Sequence, residues 1–201
     1  MPDKTKPAMR GRPTAYDEKT VLEKAQQVFW RKGYTATSLE ELLTAMGMGS
    51  GSFYHAFKGG KREVFRKALQ QRREAFNQFE KELSQSEAPL GLIKNFFRSM
   101  ATAERVAHLQ GCIVVNTVVE MAFLDKELEE EAITILKEVE QLFVRVMEQA
   151  QRKGSLQNQT DPAILGRYLL TLWNGLNVTR RMYPDNEELR KQIEMQLEII
   201  S

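Results

Sequence analysis

The sequence predicts an all-α protein: an N-terminal three-helix bundle containing a helix-turn-helix, followed by a larger C-terminal helical domain. Three observations carry this. Apolar residues recur at helical spacing along almost the whole chain, Gly and Pro break it at intervals that suit helices, and basic charge gathers at one end. Of the 201 residues, 42% are hydrophobic and 28% charged, a composition able to bury a core rather than stay disordered. No stretch approaches the roughly 18 uninterrupted apolar residues of a membrane-spanning helix. The N-terminal MPDKTKPAMRGRP has basic residues with no apolar segment behind them, so secretion is not expected and the expected compartment is the cytoplasm. The single cysteine, Cys112, forms no internal disulfide and supplies no structural zinc site.

The elements follow in order. Val21, Ala25, Val28 and Phe29 form the stripe of a first helix, with Asp17 as N-cap and Gly33 as its stop. A second, short helix opens at Thr37 or Ser38, since Thr37-x-x-Glu40 and Ser38-x-x-Glu41 both read as capping boxes. Leu39, Leu42, Leu43 and Met46 supply its buried side before Gly47 breaks it. A third runs from about Gly49 to Phe57, ended by Gly59-Gly60. From Lys61 a longer helix carries Val64, Phe65, Ala68 and Leu69 to roughly Leu83. Pro89 starts a helix containing Phe96, Phe97 and Met100. The run from Gly111, CIVVNTVVEMAFL, is rich in β-branched residues, but no partner strand is in sight, so it reads as a buried helix. Asp125 caps a helix to Lys153, Asp161-Pro162 opens another to Met182, and a last one fills Asn186 to Ile200. The expected division is an arm over 1–13, a helix-turn-helix domain over 14–74 and a second helical domain over 75–201.

A net charge of +2 conceals an asymmetry. Residues 1–74 hold fifteen Lys/Arg and eight Asp/Glu, a net of +7, and the remainder carries −5. A basic end on a near-neutral chain suits a polyanion, or is simply a solvated surface. Two short helices joined by a tight glycine turn inside that end have the layout of a helix-turn-helix. Its second helix reads Gly49-Ser50-Gly51-Ser52-Phe53-Tyr54-His55. With Phe53 and Phe57 toward the core, Ser50, Ser52, Tyr54 and His55 are left for bases and phosphates in a groove about 12 Å wide.

The order Thr37-x4-Leu42-x4-Gly47-Met48-x2-Gly51-x-Phe53-Tyr54-x2-Phe57-x3-Lys61-x3-Phe65 resembles the DNA-binding domain of the TetR family of transcriptional regulators. Ala25-x3-Phe29-x3-Gly33-Tyr34-x2-Thr37 is similar to that family's first helix and turn, so the likeness covers roughly residues 14–74. Two positions depart from it: Ser or Thr usually stands at Gly49, and often His at Ala56. The resemblance implies double-stranded operator DNA as a partner, with Thr37, Ser38, Gly49 and the phosphate-contacting Lys61 joining the four residues above. Lys4, Lys6, Arg10 and Arg12 are either a minor-groove arm or a plain tail.

It also implies a homodimer whose C-terminal domain binds a small effector and pairs through its last two helices, most often as a repressor. Leu165, Tyr168, Leu169, Leu172 and Leu176, with Ile193 and Leu197, form stripes that suit this interface; on periodicity alone an intramolecular core is the better reading, and the resemblance reverses that order. Phe96, Met100, Val115, Val119, Phe123, Phe143, Met147 and Trp173 are the expected cavity wall. Asn116 and Glu120, polar in an apolar helix and spaced i and i+4, are the expected anchors for a mostly apolar effector. Cys112 is either a sensor thiol or a small buried residue, and Glu104, His108 and Cys112 would share a face only if Gly111 left the helix continuous. No cofactor or metal is expected. An enzyme is not expected either, since the chain offers two histidines and no Gly-rich phosphate loop. A purely architectural DNA-binding protein would not need so large an apolar-rich C-terminal region.

Overall fold

The computed structural model describes residues 16–182 and 185–201, so Arg10 and Arg12 of the arm lie outside the described residues. Within them every regular element is helical: α1 (Glu18–Lys32), α2 (Leu39–Met46), α3 (Ser50–Ala56), α4 (Gly60–Gln85), α5 (Pro89–Thr102), α6 (Arg105–Gln110), α7 (Ile113–Met121), α8 (Lys126–Arg152), α9 (Pro162–Met182) and α10 (Asn186–Leu197), closed by a 3-10 turn (Glu198–Ile200).

Local chemistry sets the boundaries. The Asp17 carboxylate accepts from the Thr20 N–H at 3.0 Å and starts α1. Of the two capping boxes, Ser38–Glu41 is the one formed, with bonds of 3.2 and 3.1 Å in its two directions. Gly47, left-handed, ends α2. Asp125 caps α8 through the Leu128 N–H at 3.2 Å. Two boundaries differ from expectation. Gly60 begins α4 instead of ending α3, and α4 passes residue 74 unbroken to Gln85. A short α6, too brief to show a periodicity, precedes the apolar run. Between α6 and α7 the backbone turns at Gly111 with φ +66°, where a Cβ would sit 2.5 Å from an Arg181 nitrogen. His108 and Cys112 therefore fall on different elements, and the His108 Nε2 pairs with the Met100 carbonyl at 2.9 Å. The side-chain row of Glu104, His108 and Cys112 does not form.

In the first bundle α1 packs on α2 and α4. Its centre is aromatic: Phe29 meets Phe65 edge-on at 4.8 Å, and Tyr34 lies 5.0 Å from Phe65. In the larger domain α8 packs on α7 and α9, and α10 on α5. Phe97, Phe143, Met147, Leu165, Leu169 and Ile193 fill that core. Between the two runs α4. It carries ion pairs to α8 at a constant offset of 65 residues: Arg62–Glu127 (2.8 Å), Arg66–Glu131 (2.9 Å) and Arg73–Glu138 (2.7 Å). A constant offset means that the two helices run parallel. Arg62 also grips Asp125 at 2.6 Å, and this guanidinium holds the Asp125 carboxyl down at a pKa of about 2.

Candidate functional site

α3 divides into two faces. Phe53 and Phe57 are buried with ring centres 5.5 Å apart and fix the helix to the bundle. Ser50, Gly51, Tyr54 and His55 are exposed on the other side, and Ser52 is half-buried between. Gly49, the N-cap, makes no side-chain hydrogen bond. The exposed side therefore joins two small hydroxyls, a phenol and an imidazole on one short convex ridge. A major groove about 12 Å wide admits such a ridge.

Two expected DNA contacts are corrected. Thr37 is buried, and its hydroxyl donates to the Gly33 carbonyl at 2.6 Å, closing the α1–α2 turn from within. The Lys61 ammonium donates to the main-chain carbonyls of Tyr34 (2.8 Å) and Thr37 (2.7 Å) and sits 4.3 Å from the centre of the Tyr34 ring. Those carbonyls lie past the end of α1; that of Tyr34 also accepts from the Thr37 N–H at 3.3 Å, and Lys61 bridges the two. Burial lowers its pKa from the ordinary lysine value. Ser38 is exposed at the start of α2, as its capping role requires.

The same turn is held from the other domain. Glu120 on α7 accepts from the N–H groups of Tyr34 (2.9 Å) and Thr35 (2.7 Å). Gly33 makes room for it: its φ is +80°, and a Cβ there would meet a Glu120 oxygen at 2.8 Å. Glu120 is thus a clamp on the DNA-reading bundle, which corrects its expected place in an effector cavity. Asn116 is half-buried and donates to the Gln110 carbonyl at 3.4 Å. The reason is which way α7 faces. It buries Ile113, Val114, Thr117 and Met121, so Asn116 and Glu120 do share a direction, but one away from the core. Val119 and Phe123 are exposed for the same reason, Phe123 completely. Phe143 and Met147 are buried in the α8 core and are not among the residues that line the cavity described next.

A cavity of about 220 Å³ does lie at the junction of α1, α4, α5, α6 and α9, closed by the turn before α7. Phe96, Met100, Cys112 and Trp173, all expected, line it, together with Trp30, Arg72, Asn177 and Arg180, which sequence reasoning missed. Trp30 Nε1 donates to the Gly111 carbonyl at 3.2 Å, tying α1 to the cavity wall. Burial pushes the Cys112 thiol above its ordinary pKa, against the pull of a main-chain N–H and of Arg72. Burial likewise disfavours the charged forms of Arg72 and Arg180.

Residues 21–68 match the description "Bacterial regulatory proteins, tetR family", and residues 90–195 match "Tetracyclin repressor-like, C-terminal domain". The chain belongs to the TetR family. It is a DNA-binding transcriptional regulator. Among relatives it is 28% identical over 195 residues to the uncharacterized HTH-type transcriptional regulator YezE of Bacillus subtilis (strain 168), covering 94% of this chain and 99% of that one. It is 25% identical over 174 residues to the HTH-type transcriptional repressor DhaR of Mycobacterium sp. (strain GP1), covering 84% of each. Among solved structures it superposes on the TetR family regulator CifR, a cysteine-substituted form complexed with 26-bp double-strand operator DNA. The TM-score is 0.78 at 27% identity, over 95% of this chain and 100% of that one.

For a TetR family member the outward faces of α9 and α10 matter most, and here the expected stripe is corrected. Leu165, Leu169, Leu172 and Leu176, with Ile193 and Leu197, are buried within the single chain. They lie on the side of α9 and α10 that meets α8 and α5, so they are core. Only Tyr168 of that set is partly open, its hydroxyl donating to the Gln196 carbonyl at 2.9 Å. The outward stripe of α9 is Ile164, Tyr168, Thr171, Gly175, Val178 and Met182, at helical spacing beside the exposed Met195 and Ile199.

Proposed function

We propose that the chain acts in the cytoplasm as a homodimeric repressor: each protomer lays α3 in a major groove, and a small molecule in the cavity under α4 releases it from the operator. One observation carries this reading above the others. The cavity takes Trp30 from the DNA-reading bundle, Arg72 from the connecting helix and Trp173 from the dimerisation side, so an occupant touches every part that must move. Support comes also from DhaR, named a repressor, and from CifR, seen on operator DNA. The reading divides the chain at about residue 74, although α4 continues past it, and includes no catalytic step.

The outward stripe of α9, with Met195 of α10 and Ile199 of the closing 3-10 turn, is the proposed dimer face. Two-fold pairing there sets the two α3 helices about 34–36 Å apart, or a multiple of it, as successive major grooves require. Regulation needs a ligand that favours the DNA-incompatible spacing, by a coupling of about 1–3 kcal/mol, and DNA must weaken ligand binding by the same factor. The test is selection of an operator from genomic fragments, then titration of the bound ligand with and without it. Equal ligand affinities in the two titrations would sink the mechanism. A monomer that persists at concentrations where the operator is fully bound would sink the dimer.

A further inference from the structure

The cavity under α4 holds the buried Arg180 and the half-buried Arg72, and no carboxylate is among its lining residues. We propose that its occupant is a small carboxylate with an aromatic or short apolar body, its anionic end seated on Arg72 and Arg180; this rests on the reading of the cavity as the effector site. Arg180 is only 8% exposed. Its Nη2 donates to the Asn177 side-chain Oδ1 at 2.8 Å, but its Nε has no partner, and neither has the buried Nε of Arg72. The Arg72 guanidinium lies 4.8 Å from the Phe76 ring centre and 5.3 Å from that of Trp30. No ion pair among the described residues includes either arginine.

The positions are not those of solvated surface arginines. Phe65, Leu69, Arg72 and Phe76 follow one another at the core spacing of α4, and Leu169, Trp173, Leu176 and Arg180 do so on α9. Arginine keeps its proton in a protein. Two such cations sharing an apolar pocket repel each other, and a buried charge without a counter-charge is strongly destabilising. A carboxylate removes both penalties, because its two oxygens match the guanidinium fork. The large apolar side chains of the wall, Trp30, Phe96, Met100 and Trp173, suit an apolar or aromatic body rather than a bare phosphate. About 150 Å³ suffices for a benzene ring, so 220 Å³ leaves space for a carboxylate beside one. Drawing Arg72 toward the anion also pulls on α4, the helix that carries the DNA-reading bundle.

Trp30 and Trp173 are the only two tryptophans in the chain, and both line this cavity, so intrinsic emission reports on its occupant. Full-length protein is titrated with benzoate, phenylacetate and hexanoate, with their neutral amides, and with inorganic phosphate. The expected result is a saturable change with at least one carboxylate and binding about tenfold or more weaker for its amide. Arg72→Gln and Arg180→Gln should each weaken the carboxylate by a similar factor, with Arg180→Lys between. If one Gln variant does not melt cooperatively, the other variant and the acid–amide pairs decide. The proposal is overturned if amides match their acids, if both Gln variants keep full affinity, if phosphate outcompetes every carboxylate, or if no carboxylate alters emission at millimolar concentration. Operator binding separates this from the broader reading. A carboxylate that binds through the arginines yet leaves operator affinity unchanged keeps the site and removes its regulatory role. Neutral compounds that fill the cavity and release operator do the reverse.

Discussion

The DNA-reading helix and the cavity make opposite demands on the chain. α3 must hold a fixed convex surface in water, and it does so with residues close in sequence: Phe53 and Phe57 inward, Ser50, Tyr54 and His55 outward. The cavity is concave and assembled from five helices, with lining residues as far apart as Trp30 and Arg180. What is buried beneath α3 is apolar, as stability prefers; around the cavity stand a buried Arg180 and a half-buried Arg72, neither in an ion pair among the described residues. A region that carries unpaired charge in its interior is organised for something other than its own stability.

The largest expected effect tests the stable side of that contrast. Phe57→Ala removes a ring that is 1% exposed and should destabilise the bundle by roughly 3–5 kcal/mol, read from a thermal or urea melt. An unchanged melt would mean that α3 is held in some other way. The next concerns the opposite face of the same helix. His55→Ala should leave the melt unchanged and weaken operator binding by about 1–3 kcal/mol if the imidazole meets a base edge. A loss of folding with intact DNA binding would reverse the assigned faces.

The same contrast explains what could be read in the sequence. The helices of the first bundle, their caps at Asp17, Ser38 and Gly47, and the split of α3 all depend on neighbours within a few residues, so periodicity and capping rules reached them. The facing of α7 and α9 was less accessible. α7 is apolar nearly all round and α9 carries apolar residues on its outer as well as its inner side, so the pattern does not say which side meets the core; hence Glu120 clamps the α1–α2 turn, and the leucines of α9 are interior. Arg72 and Arg180 were missed because a charged residue on a helix is ordinarily solvated. Their place within apolar stripes was the available signal.

Glu120→Ala should have a smaller effect and probes the link between the two regions. It removes the acceptor for two main-chain N–H groups of the α1–α2 turn, at a cost of about 1 kcal/mol or somewhat more. Because that turn orients α2 and α3, operator affinity should fall even without ligand, while carboxylate binding in the cavity stays as it was. Affinity for DNA that is unaffected by the change would mean that α4 alone transmits the signal.

The smallest effect is the ion pair at the foot of α4. Asp125→Asn keeps a residue able to cap α8 but removes the charge facing Arg62, so the loss near neutral pH should be within about 1 kcal/mol, as for other partly exposed pairs. The pH dependence is more specific than the magnitude. The Asp125 carboxyl titrates at about 2 in the folded protein against 3.8 ordinarily, so between those values the unfolded chain binds the extra proton. The contribution of Asp125 is therefore fully present above about pH 4 and disappears as the pH falls through about 2. Melts of the two proteins from pH 6 downward should show a gap that is constant to about pH 4 and then closes, because the variant has no charge there to lose. A gap that stays the same from pH 6 to about pH 2 would mean that the charge of Asp125 contributes nothing, that Arg62 finds its stabilising partner in Glu127 instead, and that the link between α4 and α8 does not depend on Asp125.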